Sequence, residues 1–203
     1  MTTETHNKRY YWVAWGILLL GALFYFYEFL LQVSPSVMVP NLLHAFHVNG
    51  AQLGLMSSGY FYAYALIQIP AGVLIDRFGS RKLLAVACLI CALGSLLFGL
   101  SDNFWLASFS RALTGVGSAF AVIGCMTLAA HWFGAKHFAL LSGLIVSLGM
   151  LGAICGGAPL AYFVYHTSWQ SSLLMLSGVG VVLALVLYLF IRDYPADQQA
   201  HFE

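Results

Sequence analysis

The chain has 203 residues, of which 61% are hydrophobic and only 7% carry a charged side chain. Soluble domains average about 25% charged residues, so this composition excludes a globular protein with a water-facing surface. The formal net charge of +1 excludes the strongly basic surface that nucleic-acid binding needs. We therefore expect the lipid bilayer as the surroundings of the chain and no nucleic acid among its partners.

Long apolar runs follow one another along the chain. They cover approximately residues 10–39, 51–75, 83–100, 104–130, 138–165 and 171–191. A helix needs about 20 predominantly apolar residues to cross a hydrocarbon core of about 30 Å, and continuous runs favour helices over alternating strands. The sequence predicts an all-α membrane protein with a six-helix bundle at 10–192, flanked by tails at 1–9 and 193–203.

The basic residues predict how these spans are oriented. Seven of the eight lysines and arginines fall before the first span, between the second and third, between the fourth and fifth, or after the sixth. If the spans alternate, all seven lie on one side and the opposite loops carry none. Basic loops stay on the cytoplasmic side, so we predict a bacterial inner (plasma) membrane protein with both termini cytoplasmic. Tryptophans at 12, 105, 132 and 169 lie near span ends, as interfacial aromatic residues do.

The segment after the second span combines small and charged residues. The pattern consists of Gly72, Leu74, Asp76, Arg77, Gly79, Arg81 and Lys82. It resembles the signature G-x-L-x-D-R-x-G-x-R-[KR] between helices 2 and 3 of the major facilitator superfamily. In the fourth span, Arg111, Gly115 and Gly117 are similar to the R-x-x-x-G-x-G motif of that family.

This resemblance covers essentially the whole chain and carries several expectations. It implies one half of a twelve-helix transporter, the N-terminal half, built as two inverted three-helix repeats with the substrate site between the halves. Residues 25–38 look like bacterial members related to organic-anion and sugar-phosphate carriers. The tail at 193–203 resembles the start of the central cytoplasmic loop of the family.

The family resemblance also implies a role for the signature loop. There it resembles a charge cluster that helps to close the cytoplasmic gate by leaning on a helix of the second half. Positive-inside topology alone accounts for Arg77, Arg81 and Lys82, but it leaves Asp76 unexplained. Gly72 is expected to allow a close approach between helices.

Glu28 lies inside the first span, where an ionisable residue is by default a functional hypothesis. Tyr25 and Gln32, three residues before and four after it, share its helix face. Glu28 is interpreted as a proton carrier or substrate contact. The alternative is a protonated structural carboxyl group held by a hydrogen bond.

Arg111 lies about seven residues into the fourth span, roughly 10 Å from the outer boundary. Its guanidinium group stays charged and needs a partner. One hypothesis pairs Arg111 with Glu28 in the empty site, and lets an anionic substrate or a proton on Glu28 break the pair. The forked guanidinium group suits a carboxylate or phosphate. The alternative is that Arg111 snorkels or binds helix carbonyl groups.

Two periodic patterns complete the candidate residues. Tyr60, Tyr64 and Gln68 recur every four residues in the second span, which predicts either a cavity wall offering hydroxyl groups to a substrate or helix packing. Small residues mark close helix contacts. The glycines assigned to such packing are Gly115, Gly117, Gly149, Gly152 and Gly156.

These patterns favour secondary active transport of a small, anionic organic solute by alternating access, with a proton or counter-substrate as driver. No G-x-x-x-x-G-K-[ST] motif for ATP is present. A second hypothesis is a truncated or split half that inserts and assembles, with a second six-helix half or as a homodimer, but does not transport alone. An intramembrane enzyme is disfavoured because all seven histidines lie in loops, tails or at helix ends. We expect no cofactor and no metal.

Overall fold

The structure, a computed structural model, describes residues 2–194, with side chains from Tyr11 onward. Most of the predicted tail at 193–203 therefore lies outside the described residues. Helices occupy nearly all of the described range, and the predicted all-α class is confirmed. In chain order the elements are α1 (Thr2–Val33), a 3₁₀ turn (Ser34–Val37), α2 (Val39–Phe46), α3 (Gly50–Phe78), α4 (Ser80–Gly99), α5 (Phe104–Phe133), α6 (Ala135–Gly156), α7 (Ala158–His166) and α8 (Trp169–Phe190).

The prediction of six transmembrane helices is confirmed. Six segments of the described chain are long and apolar enough to cross a membrane. They are α1 with the 3₁₀ turn, α3, α4, α5, α6 with α7, and α8. Helix α1 begins at Thr2, so helical backbone extends into the segment predicted as the N-terminal tail.

Proline and glycine interrupt the first and fifth spans, which the sequence predicted as continuous. Pro35 has no N–H group, so the carbonyl group of Leu31 loses its helical donor; the Ser34 hydroxyl group donates to it instead at 2.9 Å. In the fifth span, α6 ends at Gly156 and α7 begins at Ala158, with Pro159 in its first turn. Proline is tolerated there because the first N–H groups of a helix have no intrahelical acceptor.

Single glycines make two turns that the sequence predicted as loops. Gly79, with φ +83°, is the whole connection between α3 and α4, and Gly134, with φ +67°, joins α5 to α6. Glycine adopts positive φ without the steric cost that a Cβ atom imposes. The loops expected at 76–82 and 131–137 are therefore wrong, because helix continues up to each glycine. We call the end of the bundle that carries these two turns the basic end.

The segment between the first two spans is helical as well. Pro40 lies in the first turn of α2, a favourable position for proline. His47 closes α2 with φ +52°. Asn49 and Gln52 then form a reciprocal capping box at the start of α3, with bonds of 2.9 and 3.0 Å.

Close glycine contacts join the helices around α5. Helix α5 packs against α4, α3 and α1, while α8 packs on α4 and α6 on α1. A Cβ atom on Gly117 would lie 2.5 Å from the carbonyl oxygen of Ala87 in α4. Since carbon and oxygen cannot approach this closely, only glycine permits this separation of the two helix axes.

Three glycines of α6 make the same kind of contact with α1. A Cβ atom on Gly149 would lie 2.7 Å from the Tyr25 ring, and one on Gly156 would lie 2.8 Å from the carbonyl oxygen of Leu30. A Cβ atom on Gly152 would strike the carbonyl oxygen of Phe26. The first and fifth spans are therefore in backbone contact along this row.

The four tryptophans near the span ends do not share one environment. Trp12 and Trp105 are each 80% exposed, which fits an interfacial position. Trp132 and Trp169 are only 6% and 5% exposed, so their side chains pack within the protein. Trp169 packs edge-on against Phe46, with ring centroids 5.8 Å apart.

Candidate functional site

Glu28 is buried in the middle of the bundle, with 2% of its surface exposed. Its Oε1 atom accepts a hydrogen bond from the hydroxyl group of Tyr60 in α3. Its Oε2 atom is buried and has no hydrogen-bond partner among the described residues. Burying a polar oxygen without a partner costs free energy, so the Tyr60 hydroxyl group is an important stabilising contact of this acid.

Arg111 in α5 is 3% exposed and binds the end of α1. Its Nη1 atom donates to the carbonyl oxygen of Leu31 at 3.0 Å, and its Nη2 atom donates to that of Gln32 at 3.3 Å. Carbonyl groups at a helix C-terminus carry partial negative charge, and Pro35 has left the Leu31 carbonyl group without its helical donor. Arg111 thus caps the broken end of the first span.

The direct Glu28–Arg111 pair that the sequence suggested is not formed in this structure. The unpartnered atoms of the two side chains are Oε2 of Glu28 and Nε of Arg111. The alternative, in which Arg111 binds helix carbonyl groups, is the arrangement observed. The break at Pro35 explains this outcome, because it supplies a free acceptor close to the guanidinium group.

Tyr60 connects the acid to the guanidinium group. The Cζ atom of Arg111 lies 4.8 Å from the centroid of the Tyr60 ring and 6.0 Å from that of Phe98, within the range of cation–π attraction. A Cβ atom on Gly115 would strike the backbone carbonyl oxygen of Tyr60. Arg111 and Gly115, one helical turn apart, therefore both lie against the residue that holds Glu28.

The predicted polar stripe on α3 is a contiguous row. The rings of Tyr60 and Tyr64 are stacked, with centroids 6.2 Å apart and planes at 18°. The Nε2 atom of Gln68 donates to the hydroxyl group of Tyr64 at 3.3 Å. The row extends about 12 Å along α3, given a rise of 1.5 Å per residue, and leads from Glu28 toward the basic end.

Tyr25 and Gln32, predicted on the face of Glu28, have different surroundings. The Tyr25 ring packs edge-on against Phe29, with centroids 4.9 Å apart, and lies beside Gly149 in the contact with α6. Gln32 is half-buried and lines a cavity together with Arg111. The structure thus places Gln32 next to the guanidinium group and Tyr25 in a helix contact.

Two residues of this site were missed by sequence reasoning. Pro35 frees the carbonyl group that Arg111 binds, and its position four residues after Leu31 was a readable signal. Phe98, in α4, flanks the guanidinium group, and nothing in the sequence distinguishes it from the other apolar residues of its span.

The signature residues at the basic end contact the segment that follows α8. The backbone N–H of Arg81 donates to Oδ1 of Asp193 at 2.7 Å, and its Nε atom donates to the carbonyl oxygen of Tyr188 at 2.8 Å. A Cβ atom on Gly79 would lie 2.6 Å from Oδ2 of Asp193. The Asp193 carboxylate therefore occupies the N-terminus of α4, where a negative charge is favourable.

We call residues 191–194 the strap, because they also bind α5. The Trp132 indole N–H donates to the carbonyl oxygen of Arg192 at 3.0 Å. The Nδ1 atom of His131 lies 3.3 Å from the carbonyl oxygen of Asp193, and its ring stacks on that of Tyr194 at 4.5 Å. The strap thus joins the basic ends of α4, α5 and α8.

The remaining signature residues have fewer neighbours. No atom of another described helix lies within 4 Å of a Cβ position on Gly72, so the close helix approach predicted there is wrong among the described residues. Asp76 and Lys82 are exposed, and Leu74 is partly buried against the core. The Arg77 guanidinium group lies 5.5 Å from the ring of its exposed neighbour, Phe78.

Comparison with known proteins gives consistent matches. The sequence model of the Major Facilitator Superfamily matches residues 17–202. The probable sulfoacetate transporter SauU of Cupriavidus necator is 26% identical, over 88% of this chain and 42% of that protein. The hexuronate transporter of Bacillus subtilis is 24% identical, over 84% of this chain and 40% of that protein.

The fold of the chain also matches a solved structure. A crystal structure of a bacterial homologue of the human lysosomal transporter Spinster, inward-facing and unoccupied, aligns with a TM-score of 0.77. The sequence identity is 18%, and the alignment covers 90% of this chain and 44% of that one. The chain therefore spans less than half the length of each of these proteins.

Proposed function

Because the chain belongs to the major facilitator superfamily, we propose that it forms the N-terminal half of a secondary transporter for a small organic anion. The observation that carries this proposal is the buried guanidinium group of Arg111, whose two terminal nitrogens bind only neutral carbonyl groups. The bonds to the carbonyl groups have a charge on the donor alone, whereas a carboxylate or sulfonate adds charge–charge attraction and, through its paired oxygens, bidentate geometry. Such an anion can therefore replace those carbonyl groups at Arg111.

Glu28 supplies the group that couples transport to protons in this proposal. As a carboxylate it accepts a hydrogen bond from Tyr60; as a carboxylic acid it carries a donor of its own. A change of protonation therefore alters the bond to the tyrosine whose ring also lies against Arg111. Proton binding at Glu28 and anion binding at Arg111 are thereby linked through Tyr60. Alternating access follows when this link favours one arrangement of the helices that carry the three residues.

A second half is proposed as the partner of this chain. Helices α3 and α6 with α7 are the least buried of the spans, and Leu66, Ile69 and Val73 on α3 are largely exposed. The open space at Gly72 lies on the same helix. The signature residues of the basic end would complete the gate by contacting that second half. A homodimer is the alternative arrangement.

The basic end is proposed to face the cytoplasm of a bacterial inner membrane, with both termini on that side. The supporting observation is that Arg77, Arg81 and Lys82 flank the turn at Gly79 and Lys136 follows the turn at Gly134, since basic residues stay on the cytoplasmic side of a membrane. Reaction of a cysteine introduced at Lys82 with a membrane-impermeant reagent in whole cells would contradict this orientation.

Uptake in cells tests the transport proposal. The chain is expressed alone and together with a six-helix partner segment, and uptake of labelled sulfoacetate, a hexuronate and a neutral sugar is measured. We expect anion uptake in the co-expressed pair and its loss by roughly tenfold or more in Arg111→Lys, since a single ammonium group cannot reproduce the forked contact. Anion uptake unchanged in Arg111→Lys would contradict the proposal.

A further inference from the structure

We propose that the cavity between the broken end of the first span and α3, which we call the anion pocket, binds the head group of a small carboxylate or sulfonate. This inference rests on the proposed function and deepens it, because it assigns the anion a separate docking position beside Arg111. The pocket lies at the end of the bundle opposite to the basic end. It would be the point where the anion first meets the guanidinium group.

The shape of the pocket follows from the break at Pro35. Residues of the end of α1, the 3₁₀ turn and the start of α2 form one wall, and residues of α3 form the other. Arg111 of α5 closes the inner side. The cavity has a volume of about 260 Å³. Pockets for drug-sized ligands start at about 300 Å³, so this volume suits a short organic acid.

The charges of the lining select an anion. Of the described residues that line the pocket, Arg111 is the one that is charged, and none is an aspartate or glutamate. Two uncharged side chains with donor groups, Gln32 and Ser57, border the same space. Leu53 and Phe61 supply apolar surface for the body of the solute.

Arg111 has the hydrogen-bonding capacity that such a ligand requires. Arg111 is only 3% exposed, and its Nε atom has no hydrogen-bond partner in the part of the chain that the structure describes. Its Nη1 and Nη2 atoms are held by carbonyl groups alone. An oxyanion can therefore take the place of the carbonyl groups of Leu31 and Gln32 and, once the guanidinium group is released from them, use the buried Nε donor as well.

This exchange would change the first span. The Leu31 carbonyl group would keep only the Ser34 hydroxyl group as a donor, at 2.9 Å, and the Gln32 carbonyl group would lose the contact with Nη2. Occupation of the anion pocket would thus loosen the cap on α1 while binding the guanidinium group. Anion binding would in this way change the hydrogen bonding of α1, the helix that carries Glu28.

Binding is tested on the purified full chain in lipid nanodiscs. Thermal unfolding is followed during titration with sodium acetate and sodium methanesulfonate, at ionic strength held constant with sodium chloride. We expect saturable stabilisation by both oxyanions, as for any ligand that binds the folded state alone. No stabilisation, or equal stabilisation by chloride, would overturn the assignment of an oxyanion pocket.

Matched variants of α3 locate the site. Ser57→Leu fills the pocket and removes a donor, whereas Ser58→Leu makes the same change at the next residue, which does not line it. We expect Ser57→Leu to weaken oxyanion binding about tenfold or more, from the loss of a hydrogen bond to a charged group together with steric exclusion. Ser58→Leu should bind as the unmodified chain does. Equal affinities in the two variants would place any binding elsewhere and overturn the proposal.

A chemical probe measures occupation of the anion pocket without relying on thermal unfolding. In a Ser57→Cys variant, acetate should slow the reaction of the new thiol with an impermeant sulfonate reagent at least severalfold, as occupancy predicts. Cys88, Cys91 and Cys125 are buried, and Cys155 is replaced by alanine to remove its partly exposed thiol. A reaction rate that does not depend on acetate would contradict the pocket.

The two proposals fail in different experiments. Absence of anion uptake in the co-expressed pair, with intact oxyanion binding at Ser57, would reject the transport function and leave the pocket. Uptake that depends on Arg111 but is unchanged in Ser57→Leu, with no protection of the cysteine, would reject the pocket and leave the transport function.

Discussion

The hydroxyl group of Tyr60 donates a hydrogen bond to the carboxyl group of Glu28, across the contact between α3 and α1. The ring of the same tyrosine lies 4.8 Å from the guanidinium carbon of Arg111. The two buried ionisable groups of the site, Glu28 and Arg111, therefore both contact the side chain of Tyr60. Because the hydroxyl group and the ring face act separately, substitution by phenylalanine can remove the hydrogen bond and leave the ring contact.

Replacing Tyr60 by phenylalanine removes the contact with the acid and leaves the ring beside Arg111. Oε1 of Glu28 would then lose its donor, neither carboxyl oxygen would have a partner among the described residues, and an unsatisfied buried group costs about 1–3 kcal/mol. We expect the free energy of unfolding in mixed micelles to fall by that amount. Tyr64→Phe is the matched control, since the Tyr64 hydroxyl group is bonded by Gln68 on its own helix. Equal losses of unfolding free energy in the two variants would show that the hydrogen bond to Glu28 contributes no more stability than the bond between Tyr64 and Gln68.

Replacing Glu28 by glutamine separates proton coupling from solute binding. Glutamine keeps the size and the acceptor oxygen for Tyr60 but cannot exchange a proton. In the co-expressed transporter we expect Glu28→Gln to retain exchange of labelled for unlabelled anion while losing accumulation driven by a pH gradient. Both activities are measured in the same proteoliposomes. Accumulation that still follows the pH gradient would rule out Glu28 as the proton carrier.

Replacing Gly115 by alanine tests the contact that positions Tyr60. The new Cβ atom would strike the backbone carbonyl oxygen of Tyr60, and overpacking of this kind costs about 1–3 kcal/mol. Gly143→Ala is the control, because a Cβ atom there has no neighbour within 4 Å and alanine favours the helix by up to about 1 kcal/mol. Thermal unfolding should therefore move in opposite directions. A shift in the same direction for both would contradict the assigned contact.

Replacing Asp193 by alanine tests the strap. The change removes the acceptor of the Arg81 backbone N–H and the negative charge at the N-terminus of α4. Loss of such a cap costs about 0.5–2 kcal/mol, which a shift in thermal unfolding reports. Asp193→Asn keeps an acceptor oxygen without the charge and should lose less. An alanine variant as stable as the unmodified chain would show that the strap adds nothing to the bundle.

The sequence identified most residues of the site but not the contacts that they make with one another. Glu28 and Arg111 stood out because ionisable residues inside apolar spans are rare, and the row at Tyr60, Tyr64 and Gln68 followed from helical periodicity. The pairing of Glu28 with Arg111 did not follow, because two charges that share a region of the membrane need not be in contact. The carbonyl group freed by Pro35 competes for the guanidinium group, and that competition depends on distances between helices.

Composition and periodicity alone determined the all-α class and the number of spans, because a chain with so few charges must satisfy its backbone groups within helices in lipid. The distribution of lysine and arginine predicted which end of the bundle is basic. Only the tertiary structure decided that Tyr60 lies between Glu28 and Arg111, that Asp193 occupies the start of α4, and that no other described helix approaches Gly72 closely. These contacts join residues far apart in sequence, and their geometry is fixed by how closely the glycines allow neighbouring helices to approach.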